Sequence, residues 1–134
     1  MKSKANSYGI ILDYVGGKHA PVKKMWKIPL CLKGKQSLKR SYKVCAQINQ
    51  CMTMKDGLIY ACNTIQGIKH FNKYFNQNLS LSETDALDIY KAENQEEIIS
   101  FLCTPKSFCR HCNRMGIELG IPYGPSKKDI SEWT

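Results

Sequence analysis

Seven cysteines mark this chain: Cys31, Cys45, Cys51, Cys62, Cys103, Cys109 and Cys112. Cys109 and Cys112 form a tight Cys-x2-Cys knuckle within Phe108-Cys-Arg-His-Cys112. Such a turn lets two sulfurs grip one metal while nearby backbone N–H groups face them. A second arrangement lies in Cys51-Met-Thr-Met-Lys-Asp-Gly-Leu-Ile-Tyr-Ala-Cys62. Its Asp56-Gly57 pair signals a two-residue hairpin turn, because both central positions want positive φ. The implied register pairs Lys55 with Leu58, Met54 with Ile59, Thr53 with Tyr60 and Met52 with Ala61, and sets Cys51 opposite Cys62. Cross-strand partners of this kind hold their Cβ atoms roughly 5 Å apart. Cys45 adds a Cys-x5-Cys pair with Cys51. Four thiolates drawn from separate elements suffice to close a tetrahedral Zn²⁺ site or to ligate a [4Fe–4S] cluster. An all-sulfur environment does not by itself choose between zinc and iron.

The remaining reactive residues read as structural. Cys31 sits between two leucines and Cys103 ends an apolar helix face, so both are expected in the core. His111 lies inside the knuckle and is expected to turn away from the metal, toward solvent or a partner beyond the ligands. His19 and His70 have no companion at ligand spacing, and no Ser/His/Asp or Cys/His arrangement points to nucleophilic catalysis. Glu96-Glu97 complements a helix dipole. Gly16-Gly17-Lys18 lacks the rest of a phosphate-loop spacing.

The elements that must position these cysteines follow from pattern. Residues 8–15 are β-branched and aromatic and read as a buried strand, broken by Gly16-Gly17. Residues 18–30, with Pro21 and Pro29 around Met25 and Trp26, read as an irregular connection containing one helical turn. The polar, basic stretch 33–43 is a surface loop or a short helix leading to Cys45. Thr64 caps a predicted helix over 65–75 with Ile65, Ile68, Phe71 and Phe75 on one face. Ser82 with Asp85 opens a second predicted helix carrying Leu87, Ile89 and Tyr90. Asn94 with Glu97 resembles a capping box for a third over 95–103, ended by Pro105. Residues 116–125 are turn-rich, and Ser126 with Asp129 starts a last short helix near Trp133. The fold class expected is α+β: a small metal-stapled domain with a two-stranded hairpin at about 51–62, several short helices and the knuckle.

The chain has 134 residues, one ordinary domain by length. With 43% apolar and 23% charged residues it can bury a core. A (β/α)₈ barrel, which needs roughly 200 residues, is excluded. No apolar run approaches the roughly 20 residues that span a bilayer. Met1-Lys2-Ser3-Lys4 leads into Asn6 and not into an apolar export segment, so the expectation is a cytoplasmic protein in which clustered cysteines bind metal instead of forming disulfides. Lys and Arg number 20 against 11 Asp and Glu, a net charge of +9. The basic residues are scattered, with no aromatic interleaving that would argue for a nucleic-acid partner. Basic neighbours also stabilise the net negative centre that four thiolates leave around a metal.

At these residues the chain resembles a known family. Cys45, eleven residues, Gly57, four residues and Cys62 are similar to the Cys-x(9–15)-Gly-x4-Cys signature of the C-terminal auxiliary iron–sulfur domain of radical SAM enzymes, of the SPASM and shorter twitch type. The stretches 51–62, His70-Phe-Asn-Lys-Tyr-Phe75, Leu87-Asp-Ile-Tyr90, Phe108-Cys-Arg-His-Cys112 and Ser126-Lys-Lys-Asp-Ile-Ser-Glu-Trp133 resemble one bacterial branch of it. The likeness covers about residues 26–134, while residues 1–30 resemble, more weakly, the end of a preceding barrel and its linker.

The resemblance implies an auxiliary domain at 31–134 that holds one [4Fe–4S] cluster, for electron transfer or substrate anchoring. Its implied partners are a radical SAM barrel, as domain or subunit, and a peptide or small-molecule substrate. The Cys-x3-Cys-x2-Cys loop that cleaves S-adenosylmethionine is missing, so this is the auxiliary domain without its engine, as a truncated product or a split subunit, and is not expected to be an enzyme alone. Two ligand sets follow from family members. One uses Cys45, Cys51 and Cys62 with Cys109 or Cys112; the twitch type uses Cys45, Cys62, Cys109 and Cys112. The hairpin register argues for including Cys51. A full two-cluster SPASM set needs more downstream cysteines than are present. The alternative is a structural zinc module that docks on a protein or nucleic acid.

Overall fold

The computed structural model describes residues 7–9, 24–48 and 51–134. The strand expected over 8–15 falls, beyond Gly9, outside these residues, as do Gly16-Gly17 and His19. The architecture is α+β. Strand β1 (Lys24–Lys27), helix α1 (Leu38–Lys43), strands β2 (Thr53–Lys55) and β3 (Leu58–Tyr60), helix α2 (Asn63–Phe75), strand β4 (Ala86–Asp88), helix α3 (Gln95–Cys103) and strand β5 (Glu118–Pro122) follow in order. Short 3₁₀ turns at Glu83–Asp85, Ser107–His111, Arg114–Gly116 and Ile130–Glu132 join them.

Two antiparallel sheets form. β2, β3 and β4 make a three-stranded sheet in that order, and β1 pairs with β5. The hairpin takes the register its turn dictates: Thr53 opposite Tyr60, Met54 opposite Ile59, Lys55 opposite Leu58. Asp56 and Gly57 have φ of 52° and 75°, as the tight turn requires. Gly57 has a second reason to be glycine, since a Cβ there would stand 2.5 Å from the Tyr90 ring. The ladder ends at Thr53 and Tyr60. The Cys51 N–H donates instead to the Gln47 carbonyl at 2.7 Å, which turns Cys51 back along its own segment.

Three local expectations are corrected. The stretch after Ser82 is not a helix. Ser82 and Asp85 do form a capping box, but it closes a single 3₁₀ turn, and Ala86–Asp88 then joins β3 as a third strand. Pairing with the edge of β3 satisfies the backbone groups of this short stretch, which is too short to do so as a helix. Met25 and Trp26 lie in a strand and not in a helical turn, because residues 118–122 pair with them. The stretch read as turns is therefore partly strand. Gly120, at φ 75°, sits where the β1–β5 register shifts between Met25 and Trp26, the place of a glycine in a bulge.

Helices α1, α2 and α3 match their signals more closely. Ser37 accepts from the Arg40 N–H at the start of α1. In α2, Ile65, Ile68 and Phe71 are buried on one face, and Cys62, not Thr64, stands at the N-cap. Asn94 caps α3 through the Glu97 N–H at 2.9 Å. Of α3, only Ile98, Phe101 and Leu102 are partly buried, and Cys103 is exposed rather than in the core. Cys31 is half-buried. The last expected helix is a 3₁₀ turn capped by Asp129.

The core has two clusters. One gathers Leu30, Cys62, Ile65, Ile68, Phe71, Leu79 and Phe108, with Cys112 packed against it. The other gathers Ile48, Ala61 and Cys109, with Cys45, Tyr42 and Phe101 against it.

The residue that ties the helical turns to the knuckle is Asp85, which is wholly buried. Its carboxylate accepts from the Ser82 N–H at 2.8 Å, the Ser107 hydroxyl at 2.7 Å and the Phe108 N–H at 2.8 Å. Replacing Asp85 with Ala strands those donors in the interior, so we expect a loss of about 3 kcal/mol of unfolding free energy. Urea unfolding of both proteins checks this; an unchanged midpoint would show that the carboxylate does not hold the knuckle.

Candidate metal centre

The knuckle is held from three sides. Asp85 fixes its entrance at Phe108. The segment 29–31 runs beside its exit, with the Cys31 N–H donating to the His111 carbonyl at 2.7 Å and the Asn113 N–H to the Pro29 carbonyl at 2.9 Å. Leu30 and Cys112 form an antiparallel bridge at the same place. From α1, the Ser41 hydroxyl donates to the Cys112 carbonyl at 3.0 Å. His111 is buried, and its Nδ1 lies 3.0 Å from the Cys31 carbonyl oxygen, so its ring is tied to backbone. It neither faces solvent nor lines the thiol cavity described next.

Cys45, Cys62, Cys109 and Cys112 line one small cavity of about 30 Å³, together with Leu30, Ile48, Phe108 and Arg114. Three separate parts of the chain supply these sulfurs: the turn after α1, the N-cap of α2 and the 3₁₀ turn of the knuckle. Cys51 does not line the cavity and is exposed. Cys31 and Cys103 do not line it either. Of the two ligand sets the resemblance implies, the cavity thus brings together the members of the twitch-type set.

Burial pushes the Cys62 thiol up, opposed by the Ile65 and Thr64 N–H groups, which favour its thiolate from the start of α2. Cys109 is pushed up to about 11, chiefly by burial and further by Cys62 and Cys45. Cys112 is pushed up more strongly, by burial and then by Cys62, Cys109 and Cys45, with Arg114 opposing. The mutual influence places these four sulfurs within electrostatic reach of one another. Burial thus favours the neutral thiols of Cys62, Cys109 and Cys112; a bound metal ion would reverse that balance, since a coordinating thiol is deprotonated outright.

Arg114 carries an independent sign of negative charge. It is only 8% exposed, lines the same cavity, and its Nε and Nη1 have no hydrogen-bond partner among the described residues. A buried guanidinium with idle donors is costly, about 1–3 kcal/mol for each unsatisfied group. An anionic centre at the thiols removes that cost. The donor set, four cysteines and a free guanidinium, fits a tetrathiolate metal or cluster. Among the described residues, however, no three His, Cys, Asp or Glu side chains already converge on a common metal position. The sulfurs share a cavity without a finished coordination geometry.

Sequence reasoning found all four cavity cysteines but missed Arg114 and Asp85. Arg114 follows the knuckle by two positions, a basic residue beside thiols that could have been singled out. Asp85 read only as a helix-capping residue. Among the described residues no helix is long and apolar enough to cross a membrane. Comparison with protein-family models, curated proteins and solved structures finds no match.

The geometry predicts an order of thiol reactivity. With metal bound, iodoacetamide should modify exposed Cys51 and Cys103 first and leave Cys62, Cys109 and Cys112 protected. Peptide mass mapping over time reads this. Early labelling of Cys109 or Cys112 ahead of Cys51 would contradict the placement. Cys103→Ala should leave metal content unchanged.

Proposed function

We propose that the chain is an auxiliary iron–sulfur domain that holds one [4Fe–4S] cluster on Cys45, Cys62, Cys109 and Cys112 and works beside a radical SAM barrel. The observation that carries this reading is the shared cavity: four sulfurs from three separate segments line it beside a buried guanidinium with idle donors. The same four residues are those that the twitch-type resemblance implies. When bound, such a cluster supplies one-electron transfer or a fixed anchor for substrate.

The chain's own residues have separable tasks. Cys62 offers its sulfur at the positive end of α2, where the Thr64 and Ile65 N–H groups favour the thiolate. Cys109 and Cys112 supply a rigid pair, held by Asp85 and the 29–31 segment. A cluster in this cavity would find compensating positive charge and unpartnered N–H groups on Arg114, and such groups tune a cluster's potential as well as the ligands do. Leu30, Ile48 and Phe108 exclude water from the cavity.

A second reading is a structural zinc module that serves as an interaction domain. The cavity's volume favours it, since about 30 Å³ takes a single ion, whereas a four-iron cluster requires the sulfurs to move outward.

Anaerobic purification followed by iron, sulfide and zinc analysis separates the two. About four irons and four sulfides per chain support the cluster, and one zinc without sulfide supports the structural module. Neither metal in the folded protein would overturn both. Cys62→Ser should lose the metal and, with it, cooperative unfolding, because a small metal domain draws folding energy from coordination. Cys51→Ser should keep full metal content. Loss of metal in Cys51→Ser would return Cys51 to the ligand set.

A further inference from the structure

A second cavity opens along α2, between that helix and the C-terminal segment. Its volume is about 840 Å³, within the range of small-molecule sites. Phe71, Phe75, Ile68 and Trp133 make its apolar floor and wall, with Phe71 edge-on to Trp133 at 6.2 Å between ring centres. His70, Lys73 and Lys128 stand on its rim, and no acidic residue lines it among the described residues. The nearest acid along the segment, Glu132, is engaged elsewhere: it accepts from the Ser126 hydroxyl at 2.5 Å and the Lys127 N–H at 2.6 Å.

Two backbone features border this cavity: a glycine within α2, and a left-handed Lys128 whose N–H donates to the Ser126 hydroxyl at 2.9 Å. Gly67 lies in the middle of α2 and lines the cavity, yet a Cβ built there would meet nothing within 4 Å. A mid-helix glycine weakens a helix by about 1 kcal/mol relative to alanine, and here no neighbour among the described residues requires it. Lys128 has a φ of 60°, an uncommon conformation for a residue other than glycine, and lines the cavity's edge.

We propose that this cavity binds a small anionic molecule with an aromatic or otherwise apolar body. The aromatic walls take the body, Gly67 leaves room for its close approach, and Lys73, Lys128 and His70 receive a carboxylate, sulfate or phosphate at the mouth. The proposal does not depend on which metal the cysteines hold.

The test uses the full metal-loaded chain and two dyes with closely related aromatic bodies: 8-anilinonaphthalene-1-sulfonate, which is anionic, and N-phenyl-1-naphthylamine, which is neutral. Fluorescence titration should show one saturable site per chain, with the sulfonate bound about tenfold more tightly than the neutral dye. Lys128→Glu should remove most of that preference while leaving the neutral dye's binding unchanged. Gly67→Leu should abolish binding of both dyes with metal content unchanged. The absence of a saturable site, equal affinity for both dyes, or full binding in Gly67→Leu would overturn the proposal. So would a dimeric chain that Gly67→Leu converts to monomer, since a second copy would then cover the groove. Should Gly67→Leu fail to fold, the charge preference and its loss in Lys128→Glu decide alone. A chain that takes up no metal yet binds the sulfonate in this pattern would remove the metal reading and leave this one standing.

Discussion

Four sulfurs, those of Cys62 and Cys109 buried and those of Cys45 and Cys112 half-buried, sit where the two halves of the core meet. Cys62 and Cys112 belong with the larger apolar cluster, Cys109 and Cys45 with the smaller. As neutral thiols they pack like small hydrophobes and add little beyond their volume. As thiolates around a cation they become a covalent-strength link between segments far apart in sequence. Which of these states holds decides how tightly the halves are joined, because neither cluster is large. Arg114 makes the choice sharper. Its idle buried donors are a liability beside neutral thiols and an asset beside an anionic centre. On the proposed reading the same arginine would favour a metal-bound state over the metal-free one, whatever the metal.

Very little of this arrangement depends on regular secondary structure. The knuckle is one 3₁₀ turn, and its position is set by long-range hydrogen bonds: Asp85 from one side, residues 29–31 from another, Ser41 from a third. The C-terminal turn joins the same seam, with the Leu30 N–H donating to the Trp133 carbonyl at 2.6 Å. Closing loops of this length loses chain entropy before any sulfur can meet another. Coordination that comes last would reward all of those closures at once, and this is why small metal domains couple folding to metal so strongly.

How much of this was legible beforehand follows from the range of each interaction. The hairpin turn, the Asn94 cap and the buried face of α2 are local patterns, and each appears where the residues place it. β4 and the β1–β5 pair were missed because a three-residue or bulged strand has no signature of its own until a partner edge exists. Cys51 illustrates the limit of a local rule. The turn fixes register as far as Thr53 and Tyr60, and carrying it two residues further set Cys51 against Cys62. The backbone of Cys51 bonds to Gln47 instead, and the exposed sulfur has no place in the cavity. Arg114 and Asp85 carry no local pattern at all, since their roles exist only once distant segments have met.

Helix α2 serves two surfaces with incompatible demands. Its first turn presents Cys62 to the thiol cavity, and Leu30 and Thr64 line both that cavity and the larger one beyond. On the proposed metal reading the thiol side would require a rigid N-terminus, because misplacing one sulfur spoils a tetrahedral set. The larger cavity beside it carries Gly67 in open space among the described residues, a loss of helix stability in the second turn. A helix that needed only to brace the core would place alanine there and keep the first turn firmer. On the proposed reading the glycine leaves room for a ligand, and the loss is tolerable because Ile65, Ile68 and Phe71 anchor the helix on the core. Binding on one wall and coordination at its end can then coexist on one short helix, because the core-facing residues, and not the helix's own propensity, hold it in place.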